Sequence, residues 1–274
     1  MSNEQNVNKE RNQKPERTEE SPFEQLRNMF NVVVTGMEAF RERANEIRAI
    51  VGPVLSQVAA TIQKIPTRTI NLQRNLAERG WYIMPEMPIP DLFALEDAFA
   101  ASRGDIVDNA VGQMVESSLS EVESQLVSEF PSRASIFKEA FEAHRDSRYA
   151  SAITLLLTQA DGICSELFGV VFFSTERGTD DPRTRKVVES LQLEVFEEIM
   201  LEPVMTRGGV SARDAELTQY PDSLHRHQIL HGKDVNYASK INSLKAISLV
   251  GYLGGLAKQT LDDAKAKKAS VSGP

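Results

Sequence analysis

The chain has 274 residues, 41% of them hydrophobic and 26% charged, so it can bury a sizeable core. Its formal net charge of -8 argues against a surface coated with basic residues for long nucleic-acid contacts, although a local basic site is still allowed. No apolar run approaches the roughly 20 residues that span a bilayer, and the N-terminus has no signal-peptide stretch, so we expect a cytoplasmic protein without membrane contact.

The N-terminal half is predicted to be helical after a polar tail. Residues 1–22 hold almost no aliphatic side chains, which predicts disorder. Apolar residues then recur at spacings of three and four, which predicts an N-terminal helical region over residues 23–80. Residues 81–90, WYIMPEMPIP, contain three prolines and are predicted to be an extended connector whose aromatic residues pack onto the domain. This connector is the candidate boundary to the linking helices of residues 91–130.

Residues 131–264 are predicted to form a C-terminal helical bundle. The segment from 148 to 168 is apolar on most sides, which is typical of a central helix, and Cys164 within it is interpreted as a small buried side chain. This single cysteine excludes an intramolecular disulfide. No strand alternation is present, so the fold class is all-α. We further expect a helix near 187–199, a flexible glycine loop at 207–210, helices over 222–231 and 237–264, and a disordered tail over 265–274.

Three of the four histidines lie in one short stretch, HRHQILHG, at residues 225–232. Pro221–Asp222–Ser223 is a helix-start signal and Gly232 is a stop signal, so we predict a helix of about two turns. On that helix His227 and His231 share a face. Arg226 and His231 lie about 140° apart around the helix and could still converge on a phosphate if the arginine reaches across.

Three interpretations of this stretch compete. The simplest is a solvated helix with incidental histidines. The second is a zinc site, since histidines four apart can bind zinc. However, no cysteine or acidic residue follows at a recognisable spacing to serve as a third ligand. The third is phosphodiester chemistry. Histidine, with an ordinary pKa of about 6.5, takes and returns protons near neutral pH, and arginine offers a forked set of donors to a phosphate oxygen.

The segment Arg226–His227–x–x–x–His231 resembles the signature of HEPN domains, in which a histidine follows an arginine at short spacing and a polar residue comes directly after the arginine. The surrounding RHxxLHG-type stretch and the apolar helix upstream, SAITLLLTQADGI, are similar to those of bacterial HEPN-like proteins. The resemblance covers roughly residues 133–260. HEPN proteins are helical bundles that often dimerise through the motif helices. Many are metal-independent endoribonucleases of toxin–antitoxin, abortive-infection or RNA-processing systems.

The resemblance implies an endoribonuclease that needs no cofactor or metal, acts on RNA as a homodimer, and works with an antitoxin or defence partner. His231 would act as the base toward the ribose 2′-OH, Arg226 would stabilise the phosphate, and His227 would orient the phosphate or the other histidine. Arg226 and His231 should then line an open cleft. The alternative is a non-catalytic helical module that binds RNA or a nucleotide, or that dimerises, and the overall acidity favours it.

Asp161 lies inside the apolar run LLLTQADGIC, where an acid is costly to bury unless it is paired. One hypothesis is that it faces the motif helix and orients Arg226 or a histidine, which makes it a supporting site residue. The other is that it lies on a solvent-facing stripe or forms a structural ion pair.

Overall fold

The computed structural model describes residues 27–28, 31–32, 35–36, 66–87, 89–101, 103–191 and 193–271. The predicted tail over 1–22 and most of the predicted N-terminal helical region lie outside the described residues. Within them the chain forms helices and loops without a strand, apart from one isolated bridge between Thr175 and Pro182. The all-α prediction is therefore confirmed for this part of the chain.

The helices are numbered in chain order. They are α1 (66–78), α2 (Ile89–Ala100), α3 (Gly104–Ser117), α4 (Leu119–Glu129), α5 (Ala134–Arg145), α6 (Tyr149–Phe168), α7 (Arg183–Glu189), α8 (Val195–Met205), α9 (Arg226–Leu230), α10 (Lys240–Tyr252) and α11 (Lys258–Val271). A π-helical turn, Leu253–Ala257, joins α10 to α11. None of the described helices is both long and apolar enough to cross a bilayer.

The core lies around α6 and α10, which pack along each other. Helix α5 covers α6, α4 covers α5, and α3 packs on α10. Helix α6 has the central position that its apolar sequence predicts, and Cys164 within it is buried and free. Burial, with a smaller contribution from Asp161, raises the pKa of the Cys164 thiol, which agrees with its interpretation as a packing side chain.

The extended segment after α1 runs through this core. Trp81, Tyr82 and Ile83 are buried, as their apolar character predicts. The ring of Tyr82 stacks on that of Tyr252 with 5.8 Å between centroids, and the Tyr252 hydroxyl donates to the Met200 carbonyl at 2.9 Å. The segment therefore helps to join α1, α8 and α10 in one hydrophobic cluster.

Three predicted elements differ from the structure. The single helix expected near 187–199 is two helices, because Glu194 and Glu197 form a capping box that starts α8. The loop expected to be flexible at 207–210 is packed: Gly208 and Gly209 are buried, and a Cβ on Gly208 would lie 2.8 Å from the Ala77 carbonyl. Helix α11 continues to Val271, through most of the segment expected to be disordered, and Lys267 pairs there with Glu197 at 2.6 Å.

Candidate functional site

The stretch HRHQILHG folds into the short helix α9, which begins only at Arg226. The prediction that Asp222 or Ser223 caps this helix was wrong. Asp222 instead accepts a hydrogen bond from Arg79 Nη1 at 2.8 Å, and the buried Ser223 hydroxyl has no partner among the described residues. Gly232 ends the helix as predicted, since its φ of 68° is left-handed and its N–H donates to the Ile229 carbonyl at 3.0 Å.

Arg226 contacts the end of α6 and the loop that follows it. Its Nη2 donates to Asp161 Oδ2 at 3.2 Å, and its guanidinium carbon lies 4.6 Å from the centroid of the Phe173 ring. The other carboxylate oxygen, Asp161 Oδ1, accepts the backbone N–H of Phe173 at 3.1 Å. Asp161 therefore faces the motif helix and joins α9 to the loop after α6, a geometry that fits both a supporting role at the site and a structural ion pair.

The guanidinium of Arg226 is incompletely paired. Asp161 approaches it through one nitrogen only, whereas a forked pair would use two. Its Nε is buried and has no hydrogen-bond partner among the described residues. An unpaired buried donor destabilises the fold, so the described contacts of Arg226 leave part of its hydrogen-bonding capacity unsatisfied.

The two other motif histidines contact each other. The rings of His227 and His231 lie 4.4 Å apart between centroids, so the prediction that they share a face is confirmed. Asp214 Oδ1 lies 3.5 Å from His227 Nε2 and accepts a hydrogen bond from Gln228 at 2.5 Å. Asp214 also accepts one from Lys233 at 2.5 Å, which is the main reason that the pKa of this carboxyl lies below its ordinary value. An ionised carboxylate thus lies beside His227.

Sequence reasoning missed Asp214 and Phe173. Asp214 begins a short 3-10 helix, Asp214–Gln219, and Phe173 lies in the loop after α6. Both occur in segments without periodicity, and no spacing links either of them to α9. His225 points away from this group, since its Nε2 lies 2.8 Å from the Tyr220 carbonyl.

A cavity of about 470 Å³ opens beside α9 and lies within the size range of small-ligand sites. Its charged and polar lining includes Arg226, His227, Asp214 and Arg213, and its apolar lining includes Phe173, Val210, Ala212 and Ala215. His231 is exposed but is not among the lining residues. In the single chain, therefore, Arg226 lines this cavity and His231 does not, and the expectation that both line one cleft of a dimer stays a prediction.

The loop that carries the cavity-lining residues Val210 and Ser211 packs against the rest of the protein. Gly208 and Gly209 pack against the end of α1, where a side chain would collide with backbone. Arg207 donates to Glu216 Oε2 at 2.6 Å and to the Ser211 carbonyl at 2.9 Å. This loop is thus held by glycine packing and by the ion pair between Arg207 and Glu216.

The described residues contain no group of three or more His, Cys, Asp or Glu side chains that could hold a metal ion. The zinc interpretation therefore gains no third ligand in this part of the chain. Comparison with known proteins adds no family to these observations. No protein-family model, no curated protein and no solved structure matches the chain.

Proposed function

We propose that this protein is a metal-independent endoribonuclease of HEPN type that cleaves RNA by attack of a ribose 2′-OH. The observation that carries the proposal is the cavity beside α9. It is lined by both Arg226, which contacts Asp161 through one nitrogen only, and His227, whose ring lies 4.4 Å from that of the exposed His231. An arginine beside two imidazoles can bind a phosphate and exchange protons near neutral pH, as phosphodiester cleavage of this type needs.

In the proposed reaction His231 takes the proton of the 2′-OH. The 2′-oxygen then forms a bond to the adjacent phosphorus and the bond from phosphorus to the 5′-oxygen breaks. The 5′-oxygen takes a proton from water, and His231 returns its proton to the solvent. The products are a 2′,3′-cyclic phosphate and a 5′-hydroxyl. Arg226, whose guanidinium lines the cavity, stabilises the charge that develops on the phosphate oxygens. His227, which lines the cavity, orients the phosphate or the partner imidazole.

Asp161 supports the site by holding Arg226 against Phe173. His231 is exposed and does not line the cavity of the single chain, which leaves it accessible to a second copy of the chain. The proposal therefore includes a homodimer in which two Arg–His sets share one cleft. A role in phage defence or stress response, with an antitoxin or other defence partner, belongs to the same proposal, as does a cytoplasmic location.

The alternative function is a non-catalytic module that binds RNA or a nucleotide, or that dimerises. The observation that favours it is the contact between Arg226 and Asp161, because a carboxylate at 3.2 Å partly neutralises the cation that substrate would need.

The test is cleavage of single-stranded RNA and transfer RNA by the purified full-length protein in the presence of EDTA. Arg226→Ala and His231→Ala should each lower the rate by about 10²- to 10⁴-fold, the usual contribution of such groups. His225→Ala is the matched control and should stay within a few-fold of wild type, since its ring binds the Tyr220 carbonyl outside the cavity. Cleavage that survives both substitutions would rule out the mechanism. Cleavage lost in EDTA would support a metal site, and binding without cleavage would support the alternative module.

A further inference from the structure

A second cavity adjoins the candidate site. It measures about 510 Å³ and lies in the loop between α6 and α7. Its lining includes three arginines, Arg177, Arg183 and Arg213. Arg213 also lines the cavity that contains Arg226, so the two cavities are neighbours that share one cationic side chain.

The acids of this second cavity are already compensated. Asp180 pairs with Arg213 at 2.8 Å and with Arg207 at 3.5 Å. Glu176 pairs with Lys186 at 3.1 Å. These two carboxylates therefore leave little negative charge to repel an incoming anion.

Two of its arginines are uncompensated. Arg177 and Arg183 are exposed, and neither forms an ion pair with a described residue. The cavity thus carries an excess of positive charge in a protein whose formal net charge is -8. A local cationic surface on an acidic protein attracts anions to one place, and exposed guanidinium groups suit phosphate because of their forked donors.

We infer that Arg177 and Arg183, together with Arg213, form a second phosphate subsite that binds the backbone of the RNA strand next to the phosphate held by Arg226. The inference rests on the proposed function, because it takes the strand at Arg226 to continue past Arg213. It specifies the substrate class as a polynucleotide with further phosphates beside the scissile one. A mononucleotide or a dinucleotide would leave this subsite empty.

Binding tests the subsite without turnover. The probe is a fluorescein-labelled single-stranded 2′-O-methyl RNA, which lacks the attacking hydroxyl, and the dissociation constant is measured by anisotropy at several salt concentrations. Arg177→Ala/Arg183→Ala should raise the dissociation constant about 5- to 25-fold at 0.1 M salt, since each lost phosphate contact on a single strand lowers the salt slope by about 0.7. The matched control is Lys138→Ala/Lys265→Ala, which removes the same charge from two exposed lysines that line neither cavity.

Cleavage gives a second measurement. The wild-type protein should have a higher kcat/KM on a longer oligonucleotide than on a dinucleotide, and Arg177→Ala/Arg183→Ala should lower this ratio while the lysine control keeps it. If the arginine variant matches the control in affinity, salt slope and length preference, the subsite is overturned, although cleavage by wild type would still support the ribonuclease. If affinity falls as expected but wild type never cleaves RNA, the subsite stands and the ribonuclease fails. A wild-type protein that does not bind the probe would overturn both.

Discussion

Helices α9 and α10 follow each other in the chain, and their polar side chains differ in how they are paired. Ser243, Lys245 and Ser248 of α10 are buried, and each has a partner. Ser243 Oγ lies 2.8 Å from His144 Nδ1, Ser248 Oγ accepts the Tyr82 N–H at 3.3 Å, and Lys245 Nζ donates to the Asp222 carbonyl. On α9, Arg226 Nε has no described partner and His231 is exposed.

The difference separates groups whose hydrogen bonds join parts of the fold from groups that the described residues leave incompletely paired. Burial lowers the pKa of Lys245, and the nearby Asp108 carboxylate opposes this shift. Lys245 and Arg79 both bind Asp222, three residues before the histidine stretch, and thereby fix where that stretch leaves the core. Lys245 of α10 and Arg79 therefore help to position the segment that leads into α9.

The largest expected loss of stability comes from breaking the paired region. Asp108 accepts Arg79 Nε at 3.0 Å and Trp81 Nε1 at 2.8 Å, and it lies 4.0 Å from Lys245 Nζ. Asp108→Ala leaves the buried lysine without this opposite charge and the indole N–H without its acceptor. The free energy of unfolding should fall by about 3 kcal/mol, near the lower end for a broken buried pair because Arg79 keeps Asp222. Urea denaturation measures it.

The control for this prediction is Asp105→Ala on the same helix. Asp105 is exposed in the first turn of α3, and its loss should cost about 0.5 kcal/mol through the helix dipole alone. Arg226→Ala should cost no more than about 1 kcal/mol, because this partly exposed side chain makes a single carboxylate contact. If Arg226→Ala were as destabilising as Asp108→Ala, the distinction between the two regions would fail.

The contrast between the helices also shows what could be predicted from the sequence. The apolar period predicts the all-α class and the central position of α6. The cost of an acid in that apolar helix led to the hypothesis that Asp161 meets Arg226. The start of α9 was predicted wrongly because Asp222 is taken by Arg79, which lies 143 residues away in the sequence. The contact between Asp214 and His227 could not be predicted, because the backbone around Asp214 is irregular and no periodic sequence pattern indicates where its side chain lies.

The second prediction tests whether Asp161 positions Arg226 or only pairs with it. Asp161→Ala removes the acceptor of the Phe173 N–H and of Arg226, and should cost about 1 kcal/mol of stability after allowance for solvent exposure. If Asp161 positions the arginine, kcat on RNA should fall about tenfold, while KM should stay or decrease because a negative charge is lost. Asp161→Asn should restore much of kcat, since its amide oxygen can still accept a hydrogen bond.

Steady-state kinetics on the folded protein separate the two roles of Asp161. The matched control is Asp262→Ala, which removes a carboxylate from an exposed ion pair with Lys258 on α11. A kcat for Asp161→Ala equal to that of the control would leave Asp161 as a structural ion pair and nothing more.

The smallest expected effect concerns pH and the paired histidine of the core. Burial lowers the pKa of His144, Lys240 and Arg145 lower it further, and Glu116 opposes them. The ordinary pKa of histidine is about 6.5. As the pH falls below this value, the unfolded chain therefore binds a proton at His144 more readily than the folded chain does. Stability should fall as the pH is lowered through this value toward the lower pKa of the folded state.

Two variants separate this titration from the hydrogen bond that His144 makes. His144→Asn can keep a hydrogen bond to Ser243 but cannot titrate, so its urea midpoint should decrease less than that of wild type between pH 7.5 and 5.5. Ser243→Ala removes the hydrogen bond and keeps the imidazole, so it should be less stable at both pH values and retain the pH dependence. An equal acid sensitivity of wild type and His144→Asn would mean that other groups cause the loss. In that case the hydrogen bond between Ser243 of α10 and His144 would stabilise the fold, but the titration of His144 would not make it sensitive to acid.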